Sequence, residues 1–193
     1  MAVGPEPEGD EEALRRLVSG DAAAFDAIVR AHQDRVFRLA LALLGHREDA
    51  RDATQEVFLR SFRSLPGWRF EARLSTWLHR LTLNVCREVW RKRASERWKR
   101  GRFLALVAPL LARGRAAPAD SQDAGLERLV DALPPRQKEV VVLRVYQDLS
   151  VAEAAEVLGV PEGTVKSNYF KAIEALRRHL NAAPAPARKA TCP

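Results

Sequence analysis

Eight basic residues (Arg87, Arg91, Lys92, Arg93, Arg97, Lys99, Arg100 and Arg102) and two tryptophans (Trp90 and Trp98) fall within residues 87–102, against two acids, Glu88 and Glu96. Cations interleaved with flat rings supply what a nucleic-acid strand needs: neutralised phosphates and a surface on which bases stack. Helical phasing sets Arg80, Arg87, Trp90 and Arg91 on one face. Trp77, Leu78, Leu81, Val85 and Val89 fall on the other, which reads as core. A solvated basic helix is the plainer alternative for this stretch.

Residues 49–63 have a different character. Ala50, Ala53, Thr54, Val57 and Phe58 make an inward stripe, while Asp49, Asp52, Gln55, Glu56, Leu59 and Arg63 point outward. A mixed acidic surface with one leucine in it suits a basic helix of another protein, not DNA. Two other readings compete with it: a plain solvated face, and a carboxylate metal site built from Glu48, Asp49, Asp52 and Glu56. The metal site lacks a converging carboxylate or histidine from a second segment.

The third cluster is local and geometric. Ser150-Val-Ala-Glu153 forms a capping box, so a helix starts there. Gly159 ends it, and Pro161 opens another at the position where a missing N–H costs least. Ala155, Gly159 and Val165 then supply the small contact residue, the turn glycine and the apolar plug of a helix-turn-helix. On the second helix Val165, Tyr169, Ala172, Leu176 and Leu180 face inward, opposite Gly163, Lys166, Ser167, Phe170, Lys171 and Glu174. Charge segregates the same way, with nine acids and four bases over residues 120–162 but four bases and one acid over residues 164–180. The basic charge sits on the proposed reader. An unrelated helical hairpin with a solvated face is the competing reading.

Other chemistry is poorly supplied. The two cysteines, Cys86 and Cys192, have no paired metal-ligand spacing, and the four histidines (His32, His46, His79 and His179) are scattered singly. There is no phosphate loop or dinucleotide-binding turn, so no cofactor and no metal are expected. The chain has 193 residues and a formal net charge of +7, and 47% of its residues are hydrophobic. That is enough apolar content for a core, and the basic balance suits an acidic partner. The longest apolar stretch, residues 103–111, is far short of the roughly 20 residues of a membrane span and contains Pro109. The first twelve residues carry five acids and no base, unlike a signal peptide. Membrane insertion is not expected, and a cytoplasmic location is.

These clusters need helices to present them. Helical spacing recurs almost throughout and no strand-like alternation is long enough for a sheet, so the fold class is all-α, with two helical domains and a flexible linker. The sequence divides into an acidic, disordered stretch over residues 1–12, a helical domain over 13–98, a linker over 99–125, a second helical domain over 126–181 and a disordered tail over 182–193. Gly101, Pro109, Gly114, Pro118 and Gly125 all oppose a long helix in the linker. Its apolar middle, residues 103–111, is expected to form a short docked helix.

Together these segments resemble the sigma-70 family of bacterial transcription initiation factors, in its small extracytoplasmic-function (ECF) group. Residues 49–60 (Asp-Ala-Arg-Asp-Ala-Thr-Gln-Glu-Val-Phe-Leu-Arg) resemble the region-two helix that grips the β' clamp of core RNA polymerase. Residues 76–84 (Thr-Trp-Leu-His-Arg-Leu-Thr-Leu-Asn) resemble the next helix, which with the loop before it reads the −10 element. Residues 133–140 and 159–167 resemble region four, which binds the β flap and reads the −35 element.

The resemblance implies that Asp49, Asp52, Gln55, Glu56, Leu59 and Arg63 bind the polymerase. The −10 strand would be held by Arg69, Phe70 and Ser75 around the loop and by Arg80, Asn84, Arg87, Trp90 and Arg91 on the helix. Gly163, Thr164, Lys166, Ser167, Phe170 and Lys171 would face the −35 duplex. After Lys166-Ser167 the family usually continues with Arg, an apolar residue and a basic stretch, where this chain has Asn168, Tyr169, Phe170 and Lys171. Phe170 is expected to meet a thymine methyl, or else to pack on a neighbouring helix or the linker. Implied partners are core polymerase, promoter DNA and an anti-sigma protein. The alternatives are a stand-alone helix-turn-helix regulator, which needs only the second domain, and a carboxylate-metal nuclease, for which the sequence offers little.

Overall fold

A computed structural model describes residues 9–65, 72–111, 129–130 and 132–182, with the side chains of 97, 99–111 and 179–182 outside the description. The described residues are helical and include no strand. The first domain comprises α1 (Asp10–Val18), α2 (Ala24–Leu44), α3 (Arg47–Ser64) and α4 (Leu74–Leu111). The second comprises α5 (Pro135–Val141), which runs on as a π-helical turn over Val142–Tyr146, then α6 (Val151–Leu158) and α7 (Glu162–Ala182).

The apolar periodicity becomes burial. Ile28, Val36, Leu39, Ala40 and Leu43 of α2 meet Ala50, Ala53 and Val57 of α3 and Leu74, Leu78, Leu83 and Val85 of α4 in one core. Gly45 ends α2 in the left-handed conformation at φ 71°, where a side chain would be strained. Arg60 then clamps α3 to α4, donating to both Glu88 carboxylate oxygens at 2.8 and 2.7 Å and to Glu56 at 2.6 Å. That pairing holds the Glu88 carboxyl below its ordinary range.

Two boundaries depart from expectation. α1 begins at Asp10, inside the stretch expected to be disordered to residue 12. The buried Asp10 carboxylate accepts from His32 Nε2 at 2.8 Å, so α1 is pinned to α2 by a charge-assisted bond that hydrophobic spacing does not reveal. α4 continues through Gly101 and Pro109 to Leu111, over residues 99–111 where the linker was expected. A long, already nucleated helix tolerates a glycine at about 1 kcal/mol, and Pro109 stands in its last turn, close to the end. The rest of the expected linker and the tail beyond Ala182 lie outside the described residues. Among those described, no helix is long and apolar enough to cross a membrane.

The two domains share a core. Val140, Val142, Leu143, Leu149 and Ala154 of the second domain belong to the same cluster as the first domain's interior, with α2 against the π-helical turn and α4 against α6. His79 of α4 lies in this contact at 3% exposure, beside Gln147 of the second domain, and its Nε2 has no hydrogen-bond partner among the described residues. Burial, with Arg35 and then His32 nearby, pushes its pKa down from 6.5 to about 4.

A lowered histidine pKa means that the unfolded chain takes up the proton first, so the His79 contribution is intact above pH 6.5 and is lost as pH falls toward 4. The melting temperature should therefore decline across that window. His79→Gln, which keeps a polar side chain but cannot titrate, should flatten the decline relative to wild type, as followed by circular dichroism. An equal slope in both proteins would contradict the assignment.

Candidate functional site

The helix-turn-helix forms as its spacing requires. The Ser150 hydroxyl accepts from the Glu153 N–H at 3.2 Å, and the Glu153 carboxylate accepts from the Ser150 N–H at 2.7 Å. Gly159 turns the chain at φ 66°. Val165 is fully buried and Ala155 nearly so, which closes α6 on α7. Gly163, Thr164, Lys166, Ser167, Phe170 and Lys171 are all exposed on one stripe of α7, so the structure brings together every residue expected at the −35 face. Phe170 is 64% exposed, which decides against a core role. It does line an apolar recess with Val151, Tyr169 and Ile173, with Arg144 and Arg177 at its rim.

The outward face of α3 also stands in solvent. Asp52, Gln55, Leu59 and Arg63 are exposed, and Glu56 is half-buried under its bond to Arg60. Asp49 is paired with Arg93 of α4, so it is the least available of the set. These pairings divide the acids between arginines, and no group of three or more His, Cys, Asp or Glu side chains suited to a metal ion occurs among the described residues. Sequence phasing missed an apolar groove of about 510 Å³ beside this face, lined by Phe25, Val29, Phe58, Leu59 and Phe62. Phe62 is 44% and Leu59 54% exposed, and the Phe25 ring meets Phe62 edge-on at 5.1 Å. The aromatic repeat Phe58, Phe62 at helical spacing was the available signal.

The basic face of α4 is placed differently. Arg87 donates through Nε and Nη2 to the two carboxylate oxygens of Glu139 in α5 at 2.6 and 3.0 Å, and through Nη1 to Asn84 Oδ1 at 3.2 Å. This partner raises the Arg87 pKa further above its ordinary value. Arg80 donates twice to the Glu156 carbonyl, at 3.1 and 2.8 Å, in the last turn of α6. Lys138 lies over the Trp90 ring at 5.7 Å, and Trp90 is half-buried. Asn84 and Arg91 remain exposed. Ser75, expected at an open loop, is instead 2% exposed in the first turn of α4, where helix formation has turned it inward. Arg69 and Phe70 lie outside the described residues. Thus three residues expected to hold a DNA strand are engaged by the second domain.

Comparison with known proteins places both domains. Residues 28–96 match the family described as Sigma-70 region 2, and residues 124–176 match Sigma-70, region 4. The ECF RNA polymerase sigma factor SigM of Mycobacterium tuberculosis is 34% identical over 177 residues, spanning 92% of this chain and 87% of its own. In structure, the chain is similar to CnrH, solved in complex with the cytosolic domain of CnrY, at a TM-score of 0.67 and 24% identity, covering 91% of this chain and 99% of that one. The sigma factor RpoE, solved with the anti-sigma factor NepR from Bartonella quintana, follows at a TM-score of 0.58 and 21% identity over 83% of this chain and 98% of that one. At those identities the structural likeness speaks for the fold alone.

The exposure of Phe170 sets an energetic expectation. Phe170→Ala should change the unfolding free energy by no more than about 0.5 kcal/mol, as at other surface positions. Ile28→Ala, at 0% exposure, should cost about 2 to 5 kcal/mol. Urea titrations of both variants check this, and a Phe170→Ala loss of core size would contradict the placement.

Proposed function

The chain belongs to the sigma-70 family of RNA polymerase sigma factors, in its ECF group, and from that premise we propose that it binds core RNA polymerase and carries it to specific promoters. In this reading it recognises the −35 element as duplex and the −10 element as an opened strand, and the polymerase does the chemistry. The observation that carries the proposal is the presence in one chain of an exposed acidic-leucine face on α3 and an exposed helix-turn-helix reader on α7, in family order.

Each surface has a distinct task. Asp52, Gln55, Glu56, Leu59 and Arg63, with Asp49 more firmly tied, would engage the β' clamp, with Leu59 and the adjoining groove supplying apolar area and the acids selecting a basic partner. Region four would also meet the β flap. On α7, Lys166 and Lys171 would reach phosphates or base edges, Ser167 and Thr164 either group, Phe170 a thymine methyl, and Gly163 would let the helix approach closely. On α4, Arg80, Asn84, Arg87, Trp90 and Arg91 would hold the opened −10 strand, with Arg69 and Phe70 in the preceding loop. Unstacking a base costs a few kcal/mol, which stacking and phosphate contacts must offset.

By analogy with RpoE, solved with the anti-sigma factor NepR, an anti-sigma protein is a further proposed partner, and the cytoplasm, where polymerase works, the proposed location. A stand-alone helix-turn-helix regulator would need only α5 to α7 and leaves the exposed face of α3 without a task.

Run-off transcription with core polymerase on genomic fragments should give discrete transcripts only when this protein is added. Replacing Asp52 and Glu56 by Arg should weaken core binding at least about tenfold, equivalent to about 1.4 kcal/mol, while leaving the helical circular dichroism spectrum unchanged. Undiminished core affinity in the folded double variant would sink the assignment of α3.

A further inference from the structure

One guanidinium joins the pieces of the helix-turn-helix. Arg144 stands in the π-helical turn that follows α5 and is half-buried. Between it and α6 the chain passes through Asp148 at φ 53°, a left-handed conformation that aspartate adopts more readily than most side chains. Across this turn Arg144 Nη1 donates to the carbonyl of Leu149, the residue before the Ser150 cap. The same guanidinium lies over the Tyr169 ring of α7, 5.8 Å from its centroid, where a planar cation is attracted to the ring face. Arg144 therefore ties the turn, the entry to α6 and the middle of α7 together.

Tyr169 is the inward residue next to the reader. Val165 and Ala172, on either side of it along the buried stripe, are at 0% exposure, whereas Tyr169 is half-buried. Packing alone thus fixes its neighbours, and Arg144 covers the part of the ring that packing leaves open. Phe170 follows directly, and it lines the same recess as Arg144 and Tyr169. An exposed ring that is to meet one base must be held from behind, because a recognition group displaced by a fraction of an ångström loses its contact. Asn168, the neighbour on the other side, turns its amide back on its own helix and donates to the Thr164 carbonyl at 2.9 Å.

We propose that Arg144 is a positioning residue for the −35 reader: it fixes the plane of Tyr169, Tyr169 backs Phe170, and the pair so sets the base preference at the position that Phe170 meets. The inference rests on the reading of α7 as the duplex reader. Arg144 acts through the ring and not through DNA, so its loss alters preference at one base pair and not affinity for every sequence.

The test uses the full-length chain assembled with core polymerase, on a fluorescent promoter fragment that yields a discrete run-off transcript and on single-base variants across its −35 element. Phe170→Ala identifies the base pair that the ring reads, as the one position whose preference collapses. There the parent should favour one base by at least about fivefold, and Tyr169→Leu and Arg144→Gln should each reduce this to under about twofold, with the other positions unchanged. Tyr169→Phe, which keeps the ring face, should retain the parent preference. Circular dichroism verifies folding, and Arg144→Gln, which leaves the buried stripe intact, decides the matter if Tyr169→Leu does not fold. Full preference in folded Arg144→Gln would overturn the positioning role and leave the reading of α7 standing. Equal weakening by Arg144→Gln on all sequences, with the slope of log affinity against log salt reduced by about one, would overturn it too, by making Arg144 a phosphate contact. A parent with no base preference across the element would overturn the reading of α7 and this inference with it.

Discussion

Glu139 is a carboxylate at 1% exposure, and a buried charge persists only where it is paired and hydrogen-bonded. Among the described residues, its own domain supplies Arg136 as a weak partner, at 3.3 Å and largely in solvent. The firm pair comes from the other domain, because Arg87 reaches both carboxylate oxygens. The second domain thus carries a charge whose satisfaction depends on α4 of the first. Around that pair the remaining contacts fall into place: Arg80 on the end of α6, Lys138 over Trp90, and Leu143 and Leu149 within the common core.

Arginine keeps its charge at any physiological pH, and its pairing with Glu139 raises the Arg87 pKa further. Acid or base within the range of the cell therefore does not discharge the guanidinium. Pairing of this kind is the physical reason that part of the α4 face is covered by the second domain. It also explains why the three surfaces of this sigma factor differ in availability. The outward side of α3 and the outward stripe of α7 are exposed as they stand, whereas part of the α4 face is covered by the second domain.

Local features were legible in the sequence because they repeat at helical spacing or depend on a few adjacent residues. The capping box at Ser150 and Glu153, the turn at Gly159, the outward stripe of α7 and the two faces of α3 all appear as read. The long-range polar contacts were not legible. Arg87 and Glu139 stand 52 positions apart, and Arg80 and Glu156 stand 76 apart, with no periodicity to connect them. The bond between Asp10 and His32 was hidden for the same reason, and it draws α1 into a stretch whose acidity read as disorder. Gly101 and Pro109 misled in the opposite direction, because local propensity is a weak guide at the end of a 38-residue helix. Ser75 read as a loop residue since nothing in its own type reveals that α4 begins one position earlier.

If α4 holds the opened strand as proposed, the domains must separate first, and distance is the most direct measure of that separation. Donor and acceptor dyes can be placed on cysteines introduced at Ala94 of α4 and Ala152 of α6, both exposed, with Cys192 changed to serine. Energy transfer should be efficient in the free chain and should fall when core polymerase and promoter DNA assemble an active initiation complex. Transfer that stays as efficient in a transcribing complex as in the free chain would contradict the account.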